Sequence, residues 1–260
     1  MPTIRDIYNV LFDFAPAYMK MDWDNVGLVC GKFDTEVHRI LIALDPMMDV
    51  FEEAKAHSCE LVVTHHPLIF QSIKQVNYDG RNLLYLIENG IASLNLHTNL
   101  DCCPGGVNDV LASRLGLADI EILNPVGTDA KGRPYGLVRM GEVAEQPLAA
   151  FAAFVKRVLS CPGVRFSDAG KPVRKVAVGG GSCGSEIGDV IAAGCDTFVT
   201  ADLKYNHFEE AKYRGLNLID AGHFETENPV CDVLEGILRE AFPEIPVFRA
   251  RTHRDETQFL

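Results

Sequence analysis

The sequence predicts an α/β protein made of two similar α/β domains related by an internal pseudo-repeat, with a metal site at the ends of its strands. Three observations carry this expectation. Short apolar strands alternate with helix-patterned segments, the second half of the chain repeats the element order of the first, and metal-ligating side chains gather at the ends of the repeated strands.

The elements follow in order. Arg5–Phe14 carries an amphipathic helical pattern and precedes a short strand, Gly27–Cys30. Apolar runs bounded by turns then mark strands at Ile40–Leu44, Leu61–Thr64 and Ile91–Leu96. Helical patterns lie between and after them, at Met48–His57, Arg81–Glu88 and Val107–Leu115. Asn124–Gly136, rich in Pro, Gly and charge, is the expected boundary, dividing the chain into domains 1–124 and 125–260. Beyond it come a helix at Pro147–Leu159 and a strand at Val164–Ser167. Strands at Val176–Val178, Thr197–Thr200 and Leu216–Asp220 alternate with helices at Glu186–Ala193 and Lys204–Tyr213. The C-terminal segment has room to pack back on the first domain.

The repeat shows when 39–67, RILIALDPMMDVFEEAKAHSCELVVTHHP, is set beside 175–203, KVAVGGGSCGSEIGDVIAAGCDTFVTADL. Both read strand, turn, helix, strand. Thr64 falls on Thr200, so His65 and His66 correspond to Ala201 and Asp202. IASLNLHTNLD (91–101) matches NLIDAGHFETE (217–227), which puts His97 on His223 and Asp101 on Glu227. A longer loop around Phe70–Gly80 in the first half absorbs the change of spacing.

Ligands of open α/β sheets gather at the carboxyl ends of strands, and THHP, HTNLD and AGHFETE all close strands. His65 and His66 end a Val-rich strand on opposite faces, so each can serve a different ion, unless both are plain loop residues. Asp101 is either a ligand or a cap for the helix from Val107. His223 and Glu227 are expected to span a strand-to-helix loop, with Glu227 either a ligand or a partner of the next helix dipole. Three imidazoles and two carboxylates exceed the needs of one catalytic ion. They suit two divalent ions of Zn, Fe, Mn or Ni type, sharing a bridging carboxylate. His97 is left over, as a general acid/base or a support for the ligands.

Other motifs are weaker. Gly179–Gly184 is a tight turn or a weak anion site, lacking both the GxGxxG order and a Walker lysine. Lys204 and Tyr205 either contact a substrate or open a helix. The eight cysteines form no CxxC pair and read as thiols, with Cys102 and Cys103 next to Asp101.

Composition narrows the class. Hydrophobic residues make up 47% and charged residues 23% of 260, the balance of a globular protein. The net charge of −12, from 24 basic and 36 acidic residues, disfavours broad nucleic-acid or membrane binding. Asp6, Asn9 and Asp13 break any signal-peptide core, and no run of 18 apolar residues exists, so a cytoplasmic location is expected.

WDNVGLVCG (23–31), THHPLIF (64–70), HTNLD (97–101), TADLKYNHFEEA (200–211) and DAGHFETE (220–227) together resemble the Nif-three-like family, also called GTP cyclohydrolase I type 2 homologues. ETQFL at the carboxyl terminus is similar to the family's ending, and KYNHF departs from it after Tyr205. The resemblance implies two similar domains with a metal site in the cleft between them, dinuclear and held by His65, His66, Asp101, His223 and Glu227, and a toroidal homohexamer. It is the short form, without the domain some members insert between the halves. Two functional classes follow: a metal-dependent hydrolase of a nucleotide-like small molecule, and a non-enzymatic metal-binding or partner-binding regulator. In the cyclohydrolase version activated water attacks C8 of guanine while His97 shuttles a proton.

Overall fold

The computed structural model describes residues 1–77 and 81–260. Residues 78–80, the end of the loop expected around Phe70–Gly80, lie outside the described residues.

The chain opens with helix α1 (Ile4–Phe14), strands β1 (Gly27–Cys30) and β2 (Ile40–Ala43), helix α2 (Met48–Ala56) and strand β3 (Leu61–Thr64). Helix α3 (Arg81–Asn89), strand β4 (Ala92–Asn95) and helices α4 (Thr98–Cys102) and α5 (Val107–Arg114) follow. Strands β5 (Ala118–Leu123), β6 (Gly127–Thr128), β7 (Pro134–Tyr135) and β8 (Val138–Gln146) occupy the middle of the chain. Helix α6 (Leu148–Leu159), strands β9 (Arg165–Ser167) and β10 (Val173–Val178), helix α7 (Ile187–Ala192) and strand β11 (Thr197–Thr200) come next. The last elements are helix α8 (Tyr205–Tyr213), strand β12 (Asn217–Asp220), helices α9 (His223–Glu227) and α10 (Val230–Ala241), and strand β13 (Val247–Arg249).

Two compact units result, Met1–Cys103 with Val230–Arg254, and Pro104–Pro229 with Asp255–Leu260. Each is discontinuous in sequence, whereas the expected division at 124/125 is continuous. The physical reason lies in strand pairing: β5 pairs with β8, and β13 pairs with β2. Both β5 and β13 therefore join a sheet that their position in the chain does not suggest.

In the first unit the strand order is β1-β4-β3-β2-β13. β13, β2, β3 and β4 are parallel, and β1 closes the edge antiparallel to β4. β2 (ILIA) and β3 (LVVT) are buried at every position. That is the reason they read as continuous apolar runs: a parallel strand covered on both faces has no polar side. Leu41, Ala43 and Val62 pack with Val50, Phe51 and Ala54 of α2 and Leu86 of α3. α1 starts with a capping box, in which Thr3 Oγ1 accepts from Asp6 N at 3.4 Å and Thr3 N donates to Asp6 Oδ2 at 2.8 Å.

The second unit has the order β5-β8-β10-β11-β12-β9. β10, β11 and β12 are parallel, while β9, β8 and β5 are antiparallel to their neighbours. Alternate residues of the parallel strands enter different cores. Val176, Val178, Val199 and Ile219 pack with α5 and α6, whereas Ala177, Phe198 and Leu218 pack with Ile187 and Val190 of α7 and Ala211 of α8. Strands β5 and β8 were not expected from the sequence. β5 is exposed at most positions and β8 is mixed, so neither shows an apolar run. No helix among the described residues is long and apolar enough to cross a membrane.

One ion pair fixes α5 in this unit. Arg139 on β8 is fully buried, and its Nε and Nη2 donate to Asp109 Oδ1 and Oδ2 at 2.6 and 3.2 Å. Its Nη1 donates to Gly136 O at 2.6 Å. Asp109→Ala leaves a guanidinium buried opposite a cavity and should destabilise the protein by about 3–5 kcal/mol in denaturant unfolding. The double apolar replacement Asp109→Leu/Arg139→Met should cost clearly less. Equal losses in the two variants would show that packing, not charge, dominates here.

Candidate metal centre

The first unit builds one donor set. β3 ends at Thr64, whose hydroxyl donates to His66 O at 2.7 Å. The N–H groups of His65 and His66 both donate to Leu44 O, at 3.1 and 2.9 Å. The chain therefore turns immediately after the strand, and the pleat that would send the two side chains to opposite faces stops. Their rings instead lie side by side, 4.8 Å apart, which corrects the expected divergence. His65 is fully buried and His66 half-buried.

His97 sits at the start of α4, and Asp101 lies within that short helix, buried. Asp101 is thus inside a helical turn of its own and not merely before the helix at Val107. His65 Nε2 is 3.5 Å from Asp101 Oδ1. The His97 ring is 5.3 Å from that of His65 and 5.6 Å from that of His66. Ligand atoms of the three histidines lie within 4.8 Å of one another.

Each imidazole is held by its Nδ1. His65 Nδ1 faces Leu96 O at 2.9 Å, His66 Nδ1 faces Asp45 Oδ1 at 2.5 Å, and His97 Nδ1 faces Asp24 Oδ1 at 2.7 Å. A carbonyl or carboxylate accepts only, so it draws the ring proton to Nδ1 and leaves the lone pair on Nε2. Asp24 also accepts from Thr98 N and Oγ1 at 3.0 and 2.5 Å. Burial alone would raise the Asp24 carboxyl, but the bonds from His97 and Thr98 win and hold it at about 2. Asp45 is likewise driven well below the carboxylate range: burial opposes ionisation, and His253 and His66 outweigh it. His253 Nε2 lies 2.9 Å from Asp45 Oδ2.

The second unit builds another set. His223 and Glu227 are the first and last residues of α9, so they share one helical turn and not an open loop as expected. Four residues is about one turn, and this puts His223 Nε2 3.0 Å from Glu227 Oε2. Gly222 precedes the turn at φ +86°, a conformation few other residues adopt. His223 Nδ1 faces Asp202 Oδ2 at 2.7 Å, the same anchoring as in the first unit. Burial opposes charge on His223, but Asp202 and Glu227 overcome it and push its pKa up to about 11. The field that holds a proton there would favour a metal cation equally.

The glycine-rich turn is explained by the same pair. Gly180 N donates to Asn108 Oδ1, Gly181 N to Thr226 Oγ1 and Cys183 N to Thr200 Oγ1, at 2.7, 3.0 and 3.1 Å. These N–H groups are engaged by side chains, which selects the tight turn over the anion site. A Cβ on Gly181 would come within 2.1 Å of Glu227 Oε1 and 3.0 Å of His223 Nε2. The glycines let the backbone pass close behind the donors.

Lys204 precedes α8 and Tyr205 opens it, with Tyr205 77% exposed, so they begin a helix. His207 Nδ1 accepts from Lys204 N at 3.3 Å. Cys103 turns back to Leu100 O at 3.6 Å, buried beside Cys102. Sequence reasoning missed Asp24, Asp45 and His253 as supports. Asp24 lies inside the quoted WDNVG, and Asp45 closes β2 at its carboxyl end, which was the available signal. Imidazole nitrogens and carboxylate oxygens in this arrangement fit a divalent transition metal.

Removing an anchor tests the arrangement. Asp45→Ala should weaken metal affinity by about 10–100-fold with circular dichroism unchanged. Asp45→Asn, whose amide oxygen still accepts from Nδ1, should lose less. Unaltered affinity in Asp45→Ala, measured by competition with a chelating dye, would remove His66 from the donor set.

Comparison with known proteins agrees with this fold and these motifs. The family model described as Duf34/NIF3 (NGG1p interacting factor 3) matches residues 2–256. A Clostridium perfringens protein named GTP cyclohydrolase 1 type 2 homolog is 32% identical, over 99% of each chain. A Streptomyces coelicolor protein of the same name is 39% identical over 90% of this chain and 84% of its own. A hypothetical protein of Staphylococcus aureus superposes with a TM-score of 0.93 at 31% identity, covering 100% of both chains. The chain belongs to the Duf34/NIF3 family.

Proposed function

We propose that the two donor sets hold two divalent transition-metal ions per chain, and that the protein is a metal-dependent hydrolase of a nucleotide-like small molecule. His65, His66 and Asp101 supply one set of ligands, and His223 and Glu227 the other. Zinc, iron, manganese and nickel all suit these atoms. The observation that carries the reading is the shared anchoring of every site imidazole at Nδ1, which presents Nε2 as a ligand atom. Support also comes from the relatives' printed name, GTP cyclohydrolase 1 type 2 homolog.

Bound ions of this kind lower the pKa of water and stabilise charge on attacking and leaving groups. His97 is the general acid/base in this proposal. Asp24 fixes its tautomer, and a proton is exchanged at Nε2. The duplication of domains 1–124 and 125–260 is part of the proposal. In its favour, the parallel strands of each sheet carry one antiparallel strand beside the last of them, β1 beside β4 and β9 beside β12. A homohexamer is the assembly we assign to it.

Elemental analysis and a nucleotide turnover screen on one preparation test the reading together. The expected content is two ions per chain. Glu227→Gln should lose metal and activity, because the substitution keeps size and removes the charge that holds cations. His97→Ala should keep its metal and lose about 10²–10⁴-fold in turnover. Metal loss in His97→Ala equal to that in Glu227→Gln makes His97 a ligand. Full metal content with no turnover of any nucleotide favours the regulator.

A further inference from the structure

Two large aromatic side chains stand exposed beside His97. Trp23 is 61% and Phe70 57% exposed, yet their rings touch, with centroids 5.5 Å apart and planes tilted at 51°. Each also meets the His97 ring, at 6.0 Å from Trp23 and 6.2 Å from Phe70, close to perpendicular in both cases. Single exposed apolar residues need no explanation, but a contiguous aromatic pair bordering a candidate reaction centre does.

The pair stands on pinned loops. Asp24, next to Trp23, is bonded to His97 and Thr98. Met21 N donates to Thr98 Oγ1 at 2.9 Å, and Lys20 Nζ donates to Asp24 O at 2.8 Å. Asn25 Nδ2 donates to Ile69 O at 2.8 Å, which ties the loop of Trp23 to that of Phe70. Asn95 Nδ2 donates to Asn25 O at 2.9 Å, from β4. Six polar contacts therefore hold two exposed rings in place, and nothing in their own packing requires it.

We infer that Trp23 and Phe70 form a platform on which a planar heteroaromatic ring of the substrate, of nucleobase class, stacks against His97. This deepens the proposed hydrolase reading and rests on it for the role of His97. Aromatic faces bind rings of this class with little regard to their edge substituents, whereas the −12 net charge of the chain gives a bare polyphosphate no general attraction. The ring thus supplies grip, and its contact with His97 brings the substrate to the proton-transferring nitrogen.

Trp23 is the chain's single tryptophan, so its emission reports this place alone. ATP and GTP should quench it saturably, while tripolyphosphate and ribose 5-phosphate should not. Trp23→Ala and Phe70→Ala should each weaken nucleotide binding about 10–100-fold in equilibrium dialysis. Phe70→Tyr should restore most of the affinity, and Tyr213→Ala, a change on the exposed side of α8, should alter nothing. Metal content, measured on every variant, separates the two proposals. Normal metal with ring-independent binding overturns the platform and leaves the centre. Ring-dependent binding in metal-depleted protein supports the platform even if the centre fails. The inference is also overturned if no nucleotide binds, if Trp23→Ala binds as well as the parent, or if Trp23 emission follows only protein concentration, which would mean that a second copy covers these rings.

Discussion

Parallel strands cannot be joined by tight turns, so each parallel pair of consecutive strands here is separated by a crossover helix. α2 joins β2 to β3, α3 joins β3 to β4, α7 joins β10 to β11 and α8 joins β11 to β12. Within each sheet that places the carboxyl ends of the parallel strands along one edge. Residues that leave adjacent strands then meet without any local sequence signal. His65 follows β3 and His97 follows β4, and the register Thr64 opposite Asn95 brings them together. In the second unit Asp202 follows β11 and His223 follows β12, with Thr200 opposite Asp220. The chemistry of both donor sets is a consequence of this parallel pairing.

The short helices after β4 and β12 turn strand ends into geometry. α4 and α9 are each five residues, too short to be stable alone, and both carry a carboxylate turned toward a histidine. They persist because their residues are buried, Thr98–Cys102 in α4 and Glu225, Thr226 and Glu227 in α9. The two are not equivalent residue by residue. Strand register sets Asn95 in the place of Asp220, so His97 takes the place of Gly222, one position before the place held by His223. The repeat read from the sequence equates His97 with His223 because it aligns the letters; hydrogen bonding shifts the alignment by one. That shift accounts for His97 having a different environment, beside Trp23 and Phe70 and bonded to Asp24.

Much of this was legible in the sequence, and the remainder was hidden for identifiable reasons. The buried strands Leu61–Thr64 and Thr197–Thr200 read directly, because covering both faces of a strand leaves an unbroken apolar run. Donor residues stood out because His and Glu are conspicuous at the ends of such runs. Asp24 and Asp45 did not, since their partners, His97 and His66, lie far along the chain and only the folded sheet brings them close. Strand β13 escaped because three residues pairing with β2 carry no periodicity of their own. The same reason explains the discontinuous units: β5 and β13 choose their sheets by pairing, which sequence order does not record.

The anchoring carboxylates impose a further electrostatic condition. Asp24, Asp45 and Asp101 lie around three imidazoles in the first unit, and Asp202 and Glu227 flank one in the second. Like charges in partly buried sites raise one another's pKa, unless a cation or a hydrogen-bond donor compensates. At Asp24 and Asp45 the imidazole N–H donors suffice, and both carboxyls are held down. At Asp101 and Glu227 the neighbouring imidazole atom is Nε2, on the side of the ring away from its anchor. A carboxylate and an Nε2 at 3.0–3.5 Å can share a proton, which the raised pKa of His223 favours beside Glu227, or a divalent cation in its place. Carboxylates opposite Nδ1 thus anchor a ring, and carboxylates opposite Nε2 stand where a metal ion could be held. That division follows from hydrogen-bond chemistry alone, and it separates the anchoring residues from the candidate ligands without reference to any relative.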